Sequence, residues 1–487
     1  MGASVAALET RLLTANAPRT LGPSSRLATP FHCGVGGQHM NAKQPLNQQG
    51  QEAYSGSIKN FSKERYISSD WSTREWQAVW AKSWIAAVPV SDLNKPGDYV
   101  VFDLGPESVL LACNKQSNVQ AFYNVCQHRG VRLVNDHTGN TENFRCPYHS
   151  WRYGTDGSLL YAPHQEGFQE GLPTQTLCLP TVHCDSALGF YWINLDANAE
   201  PLHAFLKDMI PIMGHYEFNN MTLVQDQTVS INCNWKTVLD NFSELYHVHY
   251  LHPQHRRFVD CTESLSECYE GGHTRVWVPG AKTDSLFSTP DKPTDLLTLQ
   301  LEAFGLDPAQ YEGKVDEIQA AIRIAKRALE ETEPYYGNFT DEELTDVMQT
   351  NVFPNAILTY QPEMLWLMRL RPHATDPNRC YLDKLSFERF PSNTAQPVHE
   401  STDNFKEKGA EHSGKHRRPE RESFDYSDVI RGEATMTETI DQDLSLLAHA
   451  QKGMHSAGFE GCWLNEIECR VSHFHEQLDT LMNHSTD

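Results

Sequence analysis

The chain has 487 residues, 39% of them hydrophobic and ten of them Trp, enough for a sizeable core and for two or three domains. Its formal charge of -23 excludes the basic face that a nucleic-acid binder needs, and no apolar run reaches the length of a membrane span. Twelve cysteines at irregular spacing, with no charged-then-apolar signal segment, predict reduced thiols and a cytoplasmic location rather than a disulfide framework.

Residues 1–50 hold one acidic residue, Glu9, among many Ala, Gly, Ser, Gln and Asn; that composition predicts a disordered tail, with a targeting segment or a start at Met40 as the alternatives. DWSTREWQAVWAKSWIAA predicts a capped amphipathic helix, with Trp76, Val79, Trp80 and Trp84 at helical spacing. Short alternating strands punctuated by KPGDY, LGPES and NKQSN indicate an all-β module over 85–185, with an Asp156-Gly157 hairpin signal in YGTDGSLLY. From 186 onward the chain mixes elements. MTLVQDQTVSINC predicts a strand, and NWKTVLDNFSELYHVHYLHP a helix that ends before Pro253. GKVDEIQAAIRIAKRALEE predicts a helix within a helical insertion over 296–350. NAILTY, MLWLMRLRP and CYLDKLSFERF are strand-like, 391–426 reads as a solvated loop, and closing helices are expected over 434–454 and 463–482.

Among the cysteines only Cys126 and Cys146 have histidines spaced as a metal site needs: CQHRG supplies Cys126 with His128, and CPYHSW supplies Cys146 with His149. Structural zinc sites usually pair like with like, two Cys then two His. Here both pairs are mixed. A two-iron, two-sulfur centre with two His on one iron takes one thiolate and one imidazole from each of two loops, which mixed pairs provide. Neutral imidazoles also raise the potential above that of an all-Cys cluster. Pro147 stiffens the second loop, and Gly130 and Gly154 are expected to permit tight turns near the sulfide. A zinc-stabilised binding module and a pure electron carrier are the rival readings; the length of chain that remains argues against the carrier.

A second group of donors lies in DNFSELYHVHYLHPQH: Glu244, His247, His249, His252 and His255. On an ideal helix His249 and His252 share a face, whereas His247 and His252 lie about 140° apart. Spacing alone leaves the pair open.

CQHRG…CPYHSW resembles the Rieske iron–sulfur motif, and NWKTVLDNFSELYHVHYLHP resembles the catalytic signature of the Rieske non-heme iron oxygenases, the terminal alpha subunits of aromatic-ring-hydroxylating and quaternary-ammonium oxygenases. The resemblance runs from about Tyr66 to Leu481. It implies a [2Fe-2S] cluster on Cys126, His128, Cys146 and His149, and one Fe(II) on His247 and His252. Glu244 would bridge a cluster histidine of a neighbouring subunit to His247, and Asn241 matches a position beside the iron. His249 and His255 fall outside the pattern. TIDQDLSLLAHAQKG resembles the family's acid followed eight residues later by Gln, here Asp443 and Gln451, which completes a 2-His-1-carboxylate triad with open positions. Asp441, on another helix face, is the competitor.

The fold implied is α+β: residues 51–84 form a helix packed on the catalytic domain, the all-β Rieske domain over 85–185 is an insertion, and 186–487 form a START-like helix-grip domain, an antiparallel sheet curved around a long helix. A homotrimer is implied, as is a separate NAD(P)H-dependent reductase or ferredoxin, since no Gly-x-Gly-x-x-Gly fingerprint is present. The activity expected is mono- or dihydroxylation of a small, aromatic organic substrate with O2. The alternative is oxidation of a quaternary ammonium compound such as a betaine, towards which Glu rather than Asp at the bridging position tilts. Tyr360, Trp366, Phe353 and Phe387 are pocket candidates, with core packing as their alternative role.

Overall fold

The computed structural model describes residues 58–390 and 418–484. The tail expected over 1–50 and residues 391–417 of the expected loop lie outside the described residues. Helix α1, Ser69–Glu75, is capped by the Ser68 hydroxyl and widens into a π turn over Trp76–Trp80, where the Ala81 N–H reaches the Trp76 carbonyl at 2.9 Å. Trp84 lies past this helix, contrary to the expected single run. Trp80 packs edge-on against Trp235 with ring centroids 4.8 Å apart, and buried Glu75 pairs with Lys236 at 2.8 Å. The opening segment is thereby fixed to the second half of the chain.

Ten strands follow: β1 Ile85–Pro89, β2 Asp98–Leu104, β3 Glu107–Cys113, β4 Val119–Tyr123, β5 Thr138–Asn140, β6 Asn143–Arg145, β7 Arg152–Gly154, β8 Leu159–Tyr161, β9 Thr181–Ala187 and β10 Phe190–Asn194. Seven make one antiparallel sheet in the order β1-β10-β9-β4-β3-β2-β5, and β6-β7-β8 make a small second one. The pairing continues through Asn194, beyond the end expected near 185, because β10 closes the sheet against β1.

The second half is built on β11 Thr222–Ile231, α2 Trp235–Phe242, α3 Val248–Leu251, β12 Leu265–Cys268, β13 Thr274–Val278, α4 Asp295–Ala303 and α5 Ile318–Ala328, then β14 Val347–Val352, β15 Ala356–Gln361, β16 Met364–Pro372, β17 Cys380–Glu388, β18 Arg421–Asp425, α6 Tyr426–Ile430, α7 Glu438–Met454 and α8 Cys469–His484. Its eight-stranded sheet runs β12-β13-β14-β15-β16-β17-β11-β18, antiparallel except for β11 with β18. Two sequence expectations are corrected here. The insertion ends before β14, whose alternation of half-buried and buried residues makes it a sheet strand rather than helix. Residues 421–430 are also ordered, because β18 pairs with β11 and Asp425 forms a capping box with Asp428.

One apolar cluster holds Val100, Phe102 and Leu111 of the first sheet together with Val229, Ile231, Leu370 and Leu382 of the second. At the same joint the Arg369 and Arg371 guanidiniums share the Asp383 carboxylate at 2.7–2.9 Å, while Arg371 also donates to the Asp103 carbonyl at 2.9 Å. Tyr360 and Phe387 belong to the apolar cluster on the other face of the second sheet, and Phe353 to the shared core. Trp366 has the Lys384 ammonium 4.7 Å over its ring, and that ammonium donates to the Met436 carbonyl just before α7.

Candidate metal centres

Two loops of the same design carry the first donor set. In each, the cysteine N–H donates to the carbonyl five residues on (Cys126 to Val131 at 2.9 Å, Cys146 to Trp151 at 2.8 Å). The residue four positions on donates back to the cysteine carbonyl (Gly130 at 3.0 Å, Ser150 at 3.1 Å). Those returning residues adopt positive φ, 73° at Gly130 and 62° at Ser150. Gly154, expected to serve such a turn, instead lies in β7 within the hairpin to β8, and Ser150 bears the left-handed conformation. The loops bring His128 Nδ1 and His149 Nδ1 to 3.1 Å from each other, with the rings at 75°. The Cys126 and Cys146 thiols are both buried and in hydrogen-bond contact, and the Tyr153 hydroxyl lies 3.5 Å from Cys126 Sγ. Burial raises the Cys126 pKa, so its thiolate needs a cation to form here. Trp151 stacks on His128 at 4.8 Å, while Tyr148 beside His149 is exposed.

The second set arises because the helix expected up to Pro253 is broken. Ser243 bonds back to the Leu239 carbonyl at 2.6 Å and accepts from Asn351 Nδ2 at 2.7 Å, and the chain leaves α2 there. The Glu244 carboxylate then takes the N–H groups of Tyr246 and His247 and starts the turn that holds α3. His247 precedes that turn, His252 follows it, and their ring centroids stand 5.1 Å apart. Asp443 meets them from the buried stripe of α7, Oδ1 lying 3.1 Å from His252 Nε2 and 3.5 Å from His247 Nε2. Asp441 is turned away, its carboxylate held by Thr435 Oγ1 at 2.6 Å and the Met436 N–H at 2.9 Å.

Each imidazole's other nitrogen has an acceptor: His247 Nδ1 faces Glu244 Oε1 at 2.5 Å, and His252 Nδ1 faces Gln442 Oε1 at 2.6 Å. In the neutral ring the proton therefore sits on Nδ1 and the lone pair on Nε2. Two lone pairs and a carboxylate converge, and Asp443 Oδ2, fully buried, has no partner. Such a donor set calls for a cation, and two nitrogens with one carboxylate oxygen suit ferrous iron. Burial opposes protonation of His247, but the Glu244 hydrogen bond and the Glu244 and Asp443 charges together outweigh it, so the pKa rises; burial, with the His252 and His247 charges, pushes His255 down to about 4.

The histidines outside the triad are braces. His255 Nε2 meets Thr439 Oγ1 at 2.7 Å and His249 Nε2 meets Asp284 Oδ2 at 2.6 Å. Cys261 lies near that second pair, but both Asp284 oxygens are already taken by His249, Thr262 and Leu286. Asn241 Nδ2 is buried and unpartnered one turn before Glu244.

Residues 218–484 match the model of the ring hydroxylating alpha subunit catalytic domain, and 83–180 that of the Rieske [2Fe-2S] domain. The chain belongs to the Rieske ring-hydroxylating oxygenase alpha-subunit family. It is 32% identical over 203 residues to the carnitine monooxygenase oxygenase subunit of Acinetobacter pittii, covering 40% of this chain and 52% of that protein. It is 30% identical over 180 residues to the glycine betaine monooxygenase oxygenase subunit of Pseudomonas aeruginosa, covering 37% and 42%. The chain thus spans about half the length of these curated relatives. A solved quaternary ammonium Rieske monooxygenase shares its fold, with a TM-score of 0.61 at 18% identity over 87% of this chain and 95% of that one.

For Asp443 to meet the two imidazoles, α7 must be held in register with α2. Gln451 does this: Oε1 accepts from the Asn234 N–H at 2.9 Å and from Thr237 Oγ1 at 3.2 Å, while Nε2 donates to the Tyr66 carbonyl at 3.1 Å. The eight-residue spacing from Asp443 was its sequence signal. Gln442 gave no signal, since its role depends on where α7 sits.

Proposed function

We propose that the chain is the terminal oxygenase component of a system that uses O2, with electrons from a separate NAD(P)H-dependent reductase or ferredoxin, to oxidise a quaternary ammonium compound. The observation that carries the oxygenase reading is the convergence of the His247 and His252 lone pairs on Asp443, a set a pure electron carrier has no use for. In this reading Cys126, His128, Cys146 and His149 hold the cluster, and His247, His252 and Asp443 hold the iron. When bound, the two groups supply reducing equivalents and dioxygen activation. The chain's own residues orient and insulate: Glu244 and Gln442 fix the imidazole tautomers, and Trp151 covers His128. Asn241 offers an N–H beside the iron loop.

The substrate class draws support from the carnitine and glycine betaine relatives and from glutamate at 244. Aromatic-ring hydroxylation is the second reading, favoured by the name of the matched catalytic-domain family. Assembly as a ring of three copies is part of the proposal. Exposed Tyr148 beside His149, and exposed Tyr246 and Tyr250 on the iron loop (50% and 75%), suit a contact that brings one copy's cluster to Glu244 of the next. The test is oxygen uptake coupled to reductase, with product mass, for glycine betaine and carnitine against benzene and benzoate, on protein loaded to about three irons per chain. Turnover of the aromatic pair alone overturns the substrate class. Two irons per chain with no uptake overturns the oxygenase.

A further inference from the structure

Among the described residues two arginines are almost wholly buried, Arg369 and Arg470, each about 1% exposed. They differ in one respect. Arg369 has the Asp383 carboxylate. Arg470 has no carboxylate within hydrogen-bond distance, Glu244 acting on it through its charge alone: Nη1 donates to the Gln349 side-chain oxygen at 3.1 Å, and Nη2 has no partner. Arg470 is the second residue of α8, where the helix dipole also disfavours a cation. A guanidinium buried against both desolvation and the dipole, with one donor group left over, is costly to the fold. Burial pushes its pKa down only to about 10, the Cys469, Cys268 and Glu244 charges opposing, so it stays charged at neutral pH.

Its position follows from sheet register. Gln349 on β14 pairs with Val276 on β13 and Thr359 on β15, and Thr359 with Trp366 on β16, so these four share a face. Val276 packs in the same cluster as Leu245 and Val248 of the iron loop. Asn351, two residues along β14 and on the same face, reaches Ser243, which precedes Glu244. Its Oδ1 is unpartnered, as is Trp366 Nε1. Buried, unsatisfied polar atoms thus lie on this face of the sheet, and Asn351 ties it to the chain that enters the His247–His252 loop.

We propose that Arg470 anchors a carboxylate of the substrate. Gln349 orients the guanidinium, Nη2 binds one carboxylate oxygen, and the far end of the substrate is thereby directed to the His247, His252 and Asp443 triad. An anchor of this kind selects a substrate that carries a carboxylate: within the quaternary ammonium class, an acid rather than an amino alcohol. The proposal rests on the oxygenase reading above and narrows its substrate class.

The experiment is calorimetric binding to anaerobic holoenzyme, using glycine betaine against choline, and benzoate against toluene. Wild type is expected to bind glycine betaine roughly thirty-fold or more tighter than choline. Arg470→Gln should lose about that factor on glycine betaine alone, Arg470→Lys should recover part of it, and in turnover the change should fall on KM rather than kcat. Gln349→Leu, which leaves the arginine in place, should weaken glycine betaine severalfold and spare choline. Arg470-dependent binding of benzoate but not toluene, with neither ammonium compound bound, sinks the quaternary-ammonium reading and keeps the anchor. Equal weakening of a carboxylate and its carboxylate-free partner, no preference for carboxylates in wild type, or binding of no carboxylate probe overturns the anchor.

Discussion

Replacing Asp443 by Asn tests the iron site through stability as well as through metal content. In the metal-free protein the carboxylate is fully buried, one oxygen faces the bare Nε2 atoms at 3.1 and 3.5 Å, and the other has no partner. A buried unsatisfied polar group costs about 1–3 kcal/mol, more when charged. An amide of the same shape carries no charge and can donate to a ring nitrogen. Asp443→Asn is therefore expected to stabilise iron-depleted protein by about 1–3 kcal/mol, seen as a higher urea midpoint at unchanged slope. Ferrous iron at a hundredfold excess over its Kd should stabilise the wild type by about 2.7 kcal/mol and the variant hardly at all, reversing the order. Iron analysis should fall by one per chain, with the cluster's visible spectrum unchanged. A variant less stable than wild type without iron, or equally responsive to it, would refute the convergence argument.

Glu244→Gln keeps an acceptor for His247 Nδ1 but loses the charge; both metals should remain while turnover drops by roughly ten- to a hundred-fold, checked by stopped-flow oxidation of the reduced cluster. Cys146→Ser removes one of the two buried thiols and should abolish the cluster absorption, lowering iron from about three to about one per chain. Asp383→Asn leaves Arg369 and Arg371 buried without their counter-charge and should cost about 3–5 kcal/mol in urea unfolding at pH 7. Burial raises the Asp383 pKa, but Arg371 and Arg369 outweigh it and hold the carboxyl well below the usual range. A depressed folded pKa contributes stability above the unfolded value and loses it as pH falls, so wild type should shed this contribution only below about pH 4, and the Asn variant should lack that acid limb.

The first donor set was legible because it is short-range: Cys126 with His128 and Cys146 with His149 are each confined to one loop, and spacing alone carries the mixed pairing. The second was only half legible. Helical periodicity left His247, His249 and His252 undecided because the chain does not remain a helix, and the break at Ser243 depends on Asn351, a hundred residues away. Asp443 and Asp441 are both plausible on a strip of sequence, and what separates them is that Asp441 is occupied by Thr435 and Met436. Residues 421–425 read as loop because their charges suit solvent, yet β11 offers them an edge. The left-handed Ser150 was missed for a related reason: glycine advertises such a turn and serine does not. A lone arginine early in a helix also advertises nothing; Arg470 is informative only because nothing answers its second amino group.

The hydrophobic body that takes Val100 and Leu111 from one sheet and Ile231 and Leu382 from the other has a practical corollary. The iron–sulfur half is not a cartridge. Exchanging it between homologues, to change which electron donor is accepted, would set mismatched side-chain shapes against each other at the seam and strip Arg371 of the Asp103 carbonyl. A chimaera with a working seam would have to carry β11 and the ends of β16 and β17 along with the transplanted half, so the two halves are mechanically tied in this fold.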